Sequence, residues 1–177
     1  MNPICAFVTY LGDCLRDGLT TICQIYMICT GGTKCNYRKG IEMEDSPWTP
    51  PVYDERGITQ WAWRVADREN FVLGENSRIG SFTMIDAKYG VTIEDNVRVG
   101  YGCVIMSYSR IEGKKGKVNL KKGCKIGSHT IIMPGVTIGE NAIVGVMSFV
   151  NTNIPEGEMW FGTPAEFRGS ANQIEGE

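Results

Sequence analysis

Histidine is almost missing from this chain: His129 is the only one in 177 residues. A zinc centre built on three imidazoles of one chain is thereby excluded. The seven cysteines do not make up for it. No two of them form a CxxC pair, and the group Cys5, Cys14, Cys23, Cys29 and Cys35 has neither the spacing nor the neighbouring histidine of a zinc or iron-sulfur site. No metal is expected. An odd cysteine count without a disulfide framework fits reduced thiols and a cytoplasmic setting. Charge of one sign is also lacking: the formal net charge is -2, which gives no electrostatic case for a nucleic-acid partner. Unbroken apolar runs are short. The first 30 residues come nearest, but Asp13, Arg16 and Asp17 split them and no basic start is present, so neither a signal peptide nor membrane association is expected.

What the chain has instead is a period of six. Aliphatic residues return as Leu73, Ile79, Ile85, then Ile93, Val99, Ile105, then Leu120, Ile126, Ile132, and finally Ile138, Val144, Val150. A helix would place its apolar stripe at three and four, and a half-buried strand would alternate at two. Small or β-branched residues follow four places later, among them Ser77, Thr83, Cys103, Cys124 and Ala142, and Gly recurs directly after the aliphatic residue. This is the pattern of a parallel β-helix in which each hexad is a short strand and a corner, with three hexads to a coil and about four coils. Gly and Asn are expected to relieve the bends. Cys103 and Cys124 fall on inward places and read as packing residues.

The period suggests an organisation. Residues 1–35 carry apolar residues at helical spacing and are expected to form an amphipathic helical segment. Residues 36–70, with Pro47, Pro50 and Pro51, form a connector and cap, in which Trp61 and Trp63 alternate as in a strand and close the open end of the prism. Residues 71–155 are the β-helix, interrupted by a polar excursion at 107–119 that must leave the prism as a surface loop. Residues 156–177 form a C-terminal turn and tail. Lys114, Lys115, Lys117, Lys121, Lys122 and Lys125 make a local basic cluster, either a solvated loop face or a patch attracting the phosphates of a nucleotide-bearing ligand.

The segment Ile126-Gly-Ser-His-Thr-Ile-Ile-Met-Pro-Gly-Val-Thr-Ile-Gly-Glu-Asn-Ala-Ile-Val-Gly, followed by Gly162-Thr-Pro-Ala165, resembles the hexapeptide-repeat acyltransferases. The galactoside and maltose O-acetyltransferase branch is nearest, over residues 71–168. The resemblance implies a left-handed β-helix, a homotrimer, and acetyl-CoA as acyl donor in the crease between neighbouring prisms. It implies that Ser128, Gly145 and Val146 line the CoA channel, with Asn151 and Thr152 standing where the family has Thr-Lys. Glu166 occupies a place often basic in the family, so Arg168 is the remaining candidate for the CoA phosphates.

The acceptor side departs from the family. The loop histidine that serves as general base in the O-acetyltransferase branch has no counterpart in Met106-Ser-Tyr-Ser-Arg110. Tyr108 and Arg110 of that stretch are candidates to contact a sugar acceptor. His129 and Asp86 are the candidate catalytic bases; the alternative reading makes His129 a corner residue and Asp86 a turn residue. A sugar hydroxyl needs a base to ionise, whereas an amino sugar can present a free amine, so the missing histidine favours N-acylation of a nucleotide-linked amino sugar. O-acetylation and a non-catalytic β-helix scaffold stay open.

Overall fold

The computed structural model describes residues 47–171. The expected N-terminal helical segment and the cysteines from Cys5 to Cys35 lie outside the described residues. The six-residue period appears as three parallel sheets wrapped into a prism. The first face stacks β1 (Arg64–Ala66), β4 (Met84–Asp86), β7 (Val104–Met106), β10 (Ile131–Ile132) and β13 (Phe149–Val150). The second stacks β2 (Phe71–Leu73), β5 (Val91–Ile93), β8 (Val118–Leu120) and β11 (Thr137–Ile138). The third stacks β3 (Arg78–Ile79), β6 (Arg98–Val99), β9 (Lys125–Ile126), β12 (Ile143–Val144) and β14 (Glu158–Phe161), and β15 (Glu166–Ser170) closes it antiparallel.

Register turns the period into three columns. Val65, Ile85, Ile105, Ile132 and Val150 align on the first face. Leu73, Ile93, Leu120, Ile138 and Ile154 align on the second. Ile79, Val99, Ile126, Val144 and Trp160 align on the third. Most of these side chains are buried in one continuous core, and burying an Ile, Leu or Val contributes about 1.5–3 kcal/mol. The first face carries five strands where the hexads from Leu73 onward account for four. Val65 supplies the extra rung, eight residues before Leu73 and so out of step with the period.

The corners explain the small residues. Thr83 and Thr130 each donate through Oγ1 to a carbonyl one coil further on, Gly100 and Gly145, at 3.0 Å. Ser77 Oγ donates to the Glu94 carbonyl at 2.6 Å and accepts from the Val97 amide at 3.0 Å. Buried hydroxyls thus stitch successive coils, and among the described residues no buried side-chain polar atom lacks a partner. The recurrent glycines serve a purpose other than the expected bend. Gly100 and Gly127 have ordinary negative-side φ, but a Cβ on either would come 2.5 Å from the amide nitrogen of Ser128 or Val146 in the next coil. The bends themselves fall two residues later, where Asn76, Asn96 and Asn141 adopt positive φ between the second and third faces.

Of the two tryptophans expected to cap the prism, Trp63 is buried, edge-on to Tyr53 at 5.7 Å and to Phe71 at 6.2 Å, while Trp61 is exposed. The excursion after β7 is a hairpin-like loop in which Tyr108 bridges Lys115 and the Ser109 amide donates to the Lys114 carbonyl at 2.8 Å. Its chain rejoins the prism at Val118, the start of β8.

Candidate functional site

Four corner segments stack between the third and first faces: Gly80-Ser-Phe82, Gly100-Tyr-Gly102, Gly127-Ser-His129 and Gly145-Val-Met147. The last residue of each has positive φ, from 52° at Met147 to 65° at Gly102. Only Gly102 is a residue type that favours this conformation. The middle residues, Ser81, Tyr101, Ser128 and Val146, donate no backbone hydrogen bond among the described residues, leaving a line of amides for a ligand. Phe82 and Met147 are 75% and 72% exposed, and Val146 and Tyr101 lie beside them at the surface. An apolar edge with unpaired amides along it is a place for a long ligand with a polar backbone, or for a second protein surface.

His129 stands in the middle of this edge. Its amide donates to the Tyr101 carbonyl at 2.9 Å, and its exposed ring meets the Tyr101 ring edge-on. Gly145 is covered by Phe161, whose Cβ would lie 2.5 Å from a Cβ at that position. The Arg168 guanidinium sits over the Phe161 ring at 5.2 Å and is ion-paired with Glu166 at 3.3 Å, so part of its charge is already answered. The Gly162-Thr-Pro-Ala165 turn docks on β13: the Phe149 amide donates to the Gly162 carbonyl at 2.9 Å and the Ala165 amide to the Phe149 carbonyl at 2.8 Å.

The other candidates fall elsewhere. Asp86 ends β4 at the corner between the first and second faces, where its Oδ1 accepts from the Lys88 amide at 3.1 Å. That bond is the turn-forming contact of an Asp followed by a bend. Tyr108 and Arg110 belong to the loop at this same corner, and the exposed Asn151 and Thr152 follow β13 there. By register, His129 and Asp86 are separated by two strands and about four residues, roughly 16 Å at ordinary strand dimensions. Within one prism the candidates therefore form two groups, Ser128, His129, Gly145, Val146 and Arg168 on one edge, and Asp86, Tyr108, Arg110, Asn151 and Thr152 on the other.

Both halves of the prism match known repeats. Residues 71–107 fit the hexapeptide repeat of succinyl-transferase, and residues 117–152 fit the bacterial transferase hexapeptide of six repeats. The chain thus carries transferase-type hexapeptide repeats over both segments. The chain is 30% identical over 131 residues to the galactoside O-acetyltransferase of Escherichia coli strain K12, covering 68% of this chain and 59% of that protein. It is 31% identical over 124 residues to a UDP-3-O-acylglucosamine N-acyltransferase of Caulobacter sp. strain K31, covering 68% of this chain and 33% of that one. A solved maltose O-acetyltransferase of Clostridium difficile 630 superimposes with a TM-score of 0.57 at 26% identity, over 61% of this chain and 63% of the other. The chain spans less than two thirds of each of these hexapeptide-repeat relatives. Among the described residues no group of three or more His, Cys, Asp or Glu is placed to hold a metal, and no helix is long and apolar enough to cross a membrane.

Sequence reasoning passed over Phe82, Tyr101, Met147 and Phe161, which build the edge beside Ser128 and His129. A signal for three of them is present in hindsight: they are the residues one and two places after the recurrent corner glycines.

Proposed function

We propose that this protein is an acyl-CoA-dependent acyltransferase, with acetyl-CoA as donor, that modifies a sugar or nucleotide-linked amino sugar, N-acylation being favoured over O-acylation. The donor lies along the edge of Ser128, Gly145 and Val146, where the undonated amides of Ser128 and Val146 suit the amide groups of a pantetheine arm, with Arg168 near its phosphates. Asn151 and Thr152, on the other corner, approach the same donor from a neighbouring prism. In the reaction the acceptor nitrogen attacks the thioester carbonyl and a tetrahedral oxyanion forms. The C–S bond then breaks, the nitrogen loses a proton, and CoA leaves as the thiol. Corner amides can steady the oxyanion, and holding both substrates in a crease contributes on the order of 7–11 kcal/mol towards the barrier.

One observation carries the preference for nitrogen: the loop bearing Tyr108 and Arg110 holds no imidazole, and the one His129 lies on the opposite edge. A sugar hydroxyl needs such a base and an amine does not. The division of candidates between two edges supports a homotrimer in which the loop of one chain faces the donor edge of the next, and reduced Cys103 and Cys124 are in keeping with a cytoplasmic enzyme. The O-acetyl alternative is favoured by the galactoside and maltose relatives, with His129 or Asp86 as base. Mixing acetyl-CoA with a panel of acceptors decides between them. CoA release is expected with amino sugars and their nucleotide-linked forms, and not with galactosides or maltose; the reverse pattern overturns the proposal.

A further inference from the structure

At the corner between the first and second faces, one tyrosine and two lysines line an open groove of about 420 Å³, and a second tyrosine and a third lysine stand beside it against that tyrosine ring. Lys88, Tyr89, Thr92 and Lys117 line it, with Glu69 the one carboxylate on its wall. Tyr108 reaches over from the loop and its ring centroid lies 5.5 Å from that of Tyr89. Lys88 Nζ sits over the Tyr108 ring at 5.0 Å, and Lys115 Nζ over the Tyr89 ring at 5.6 Å. Among the described residues no carboxylate is ion-paired with Lys88, Lys115 or Lys117.

The cluster is held by backbone rather than left to side-chain chance. The Tyr89 amide donates to the buried Ser107 Oγ at 2.8 Å, fixing the turn to the root of the loop. Asn70 Nδ2 donates to the Lys88 carbonyl at 3.3 Å, and Asp86 Oδ1 takes the Lys88 amide. Gly90 has φ of 96° and leaves room for the Lys117 stem, which would lie 3.3 Å from a Cβ there. Three ammonium groups without carboxylate partners repel one another until an anion joins them, and a flat ring can stack on the exposed Tyr89 that lines the groove.

We infer that this groove is a cradle for the nucleoside diphosphate of a nucleotide-linked acceptor, the base against Tyr89 and the diphosphate among Lys88, Lys115 and Lys117. The inference rests on the acyltransferase reading only in making that nucleotide part of the acceptor. A base and a diphosphate also occur in CoA, so the two sources are separated by measurement. Full-length protein is titrated calorimetrically with UDP, dTDP and, separately, CoA, at two salt concentrations, alongside Tyr89→Ala and the double variant Lys115→Ala/Lys117→Ala. Melting temperatures check that both variants fold.

The expected result is UDP or dTDP binding to the wild type that weakens about tenfold in the lysine variant, with a shallower salt dependence. Tyr89→Ala is expected to weaken it about fivefold or more. CoA binding stays unchanged in both. No binding of either nucleotide at millimolar concentration, or affinities within about twofold of wild type in both folded variants, overturns the inference. Loss of CoA binding in place of nucleotide binding also overturns it, assigning the cradle to the donor. Nucleotide binding that depends on these residues, in a protein that acylates no acceptor, would sustain the cradle and sink the proposed function. Acylation of free amino sugars without any nucleotide binding would do the opposite.

Discussion

Tyr101 and His129 meet edge to face, their ring centroids 5.1 Å apart and their planes at 83°. The contact depends on the residue between them in the stack. His129 Cδ2 would lie 2.9 Å from a Cβ at Gly102, so a side chain there would drive the imidazole away. His129 itself has φ of 58°, a conformation disfavoured for a residue with a Cβ. The ring is thereby held on the outer edge of the prism, beside the unpaired Ser128 amide and away from the loop that carries Tyr108.

This placement can be probed with His129→Asn, because Asn tolerates positive φ and keeps the corner while removing the imidazole. With an amine acceptor, kcat/KM is expected to fall less than about tenfold, since general-base catalysis, typically worth 10²–10⁴, is not required. A loss beyond about a hundredfold, measured in a folded variant, would show that the imidazole takes the acceptor proton.

Phe82 and Met147 hold left-handed conformations while exposing most of their surface, a doubly unfavourable arrangement for a lone prism. In the proposed trimer these side chains are covered by a neighbour. Each such burial contributes about 1.5–3 kcal/mol, so Phe82→Asn/Met147→Asn is expected to weaken association by about a hundredfold or more while leaving the isolated prism folded. Sedimentation across a concentration series reads the effect. A trimer of unchanged mass and concentration dependence would exclude this edge as the interface, and a wild type that sediments as a monomer would remove the trimer altogether.

Ile105 is fully buried in the middle of the first-face column, and Ile131 points outward from the same sheet. Ile105→Ala should lower unfolding free energy by about 2–5 kcal/mol through lost burial and an unfilled cavity. Ile131→Ala should cost within about 1 kcal/mol by the same measurement, denaturant unfolding. Equal effects would mean that the column has been assigned to the wrong face.

The columns through Ile85, Ile105 and Ile132 were legible because an inward position recurs at a fixed interval and tolerates only aliphatic residues. Val65 escaped because it stands before the first hexad, in the stretch read as connector and cap, although the eight residues from it to Leu73 repeat in the step from Ile85 to Ile93. The corner glycines were visible but their reason was not: Gly127 is demanded by the backbone of Val146 in the next coil, a contact no local turn rule contains. Phe82 and Met147 contradict the propensity of their own backbone positions, so nothing in residue type pointed to a bend there. The pairing of Tyr89 with Tyr108 was hidden for another reason. It depends on how the loop folds back over its corner, which periodicity does not specify.

Glu94 links two coils through Lys121, whose Nζ lies 2.8 Å from Oε1, while the Lys122 amide donates to Oε2 at 3.0 Å. The Lys121 hydrogen bond, helped by the Lys122 amide, holds the Glu94 carboxyl below its usual range against a smaller opposing effect of burial. A carboxyl depressed by folding contributes stability above its unfolded pKa, and that contribution disappears as pH falls through the folded value. Glu94→Gln is therefore expected to melt below wild type at pH 7, with the gap closing under acid conditions below about pH 4. A gap that stays constant into acid would show that charge at Glu94 is not the cause.

The same carboxylate also bears on Cys124, though burial dominates there and pushes the thiol up to about 12. Burial likewise raises Cys103, whose Sγ donates to the Gly127 carbonyl at 3.2 Å. Only the thiolate is nucleophilic and both thiols are fully buried, so neither is expected to react unless the prism opens. Iodoacetamide treatment of the native protein, followed by peptide mass mapping, is expected to leave Cys103 and Cys124 unmodified after hours, and denaturant should make both react within minutes. Because Glu94 is the lesser contributor, Glu94→Gln should leave that protection in place. Rapid native labelling of Cys124 would mean that the coil around Ala142 and Val97 opens readily, and that the central columns do not lock the prism as their packing implies.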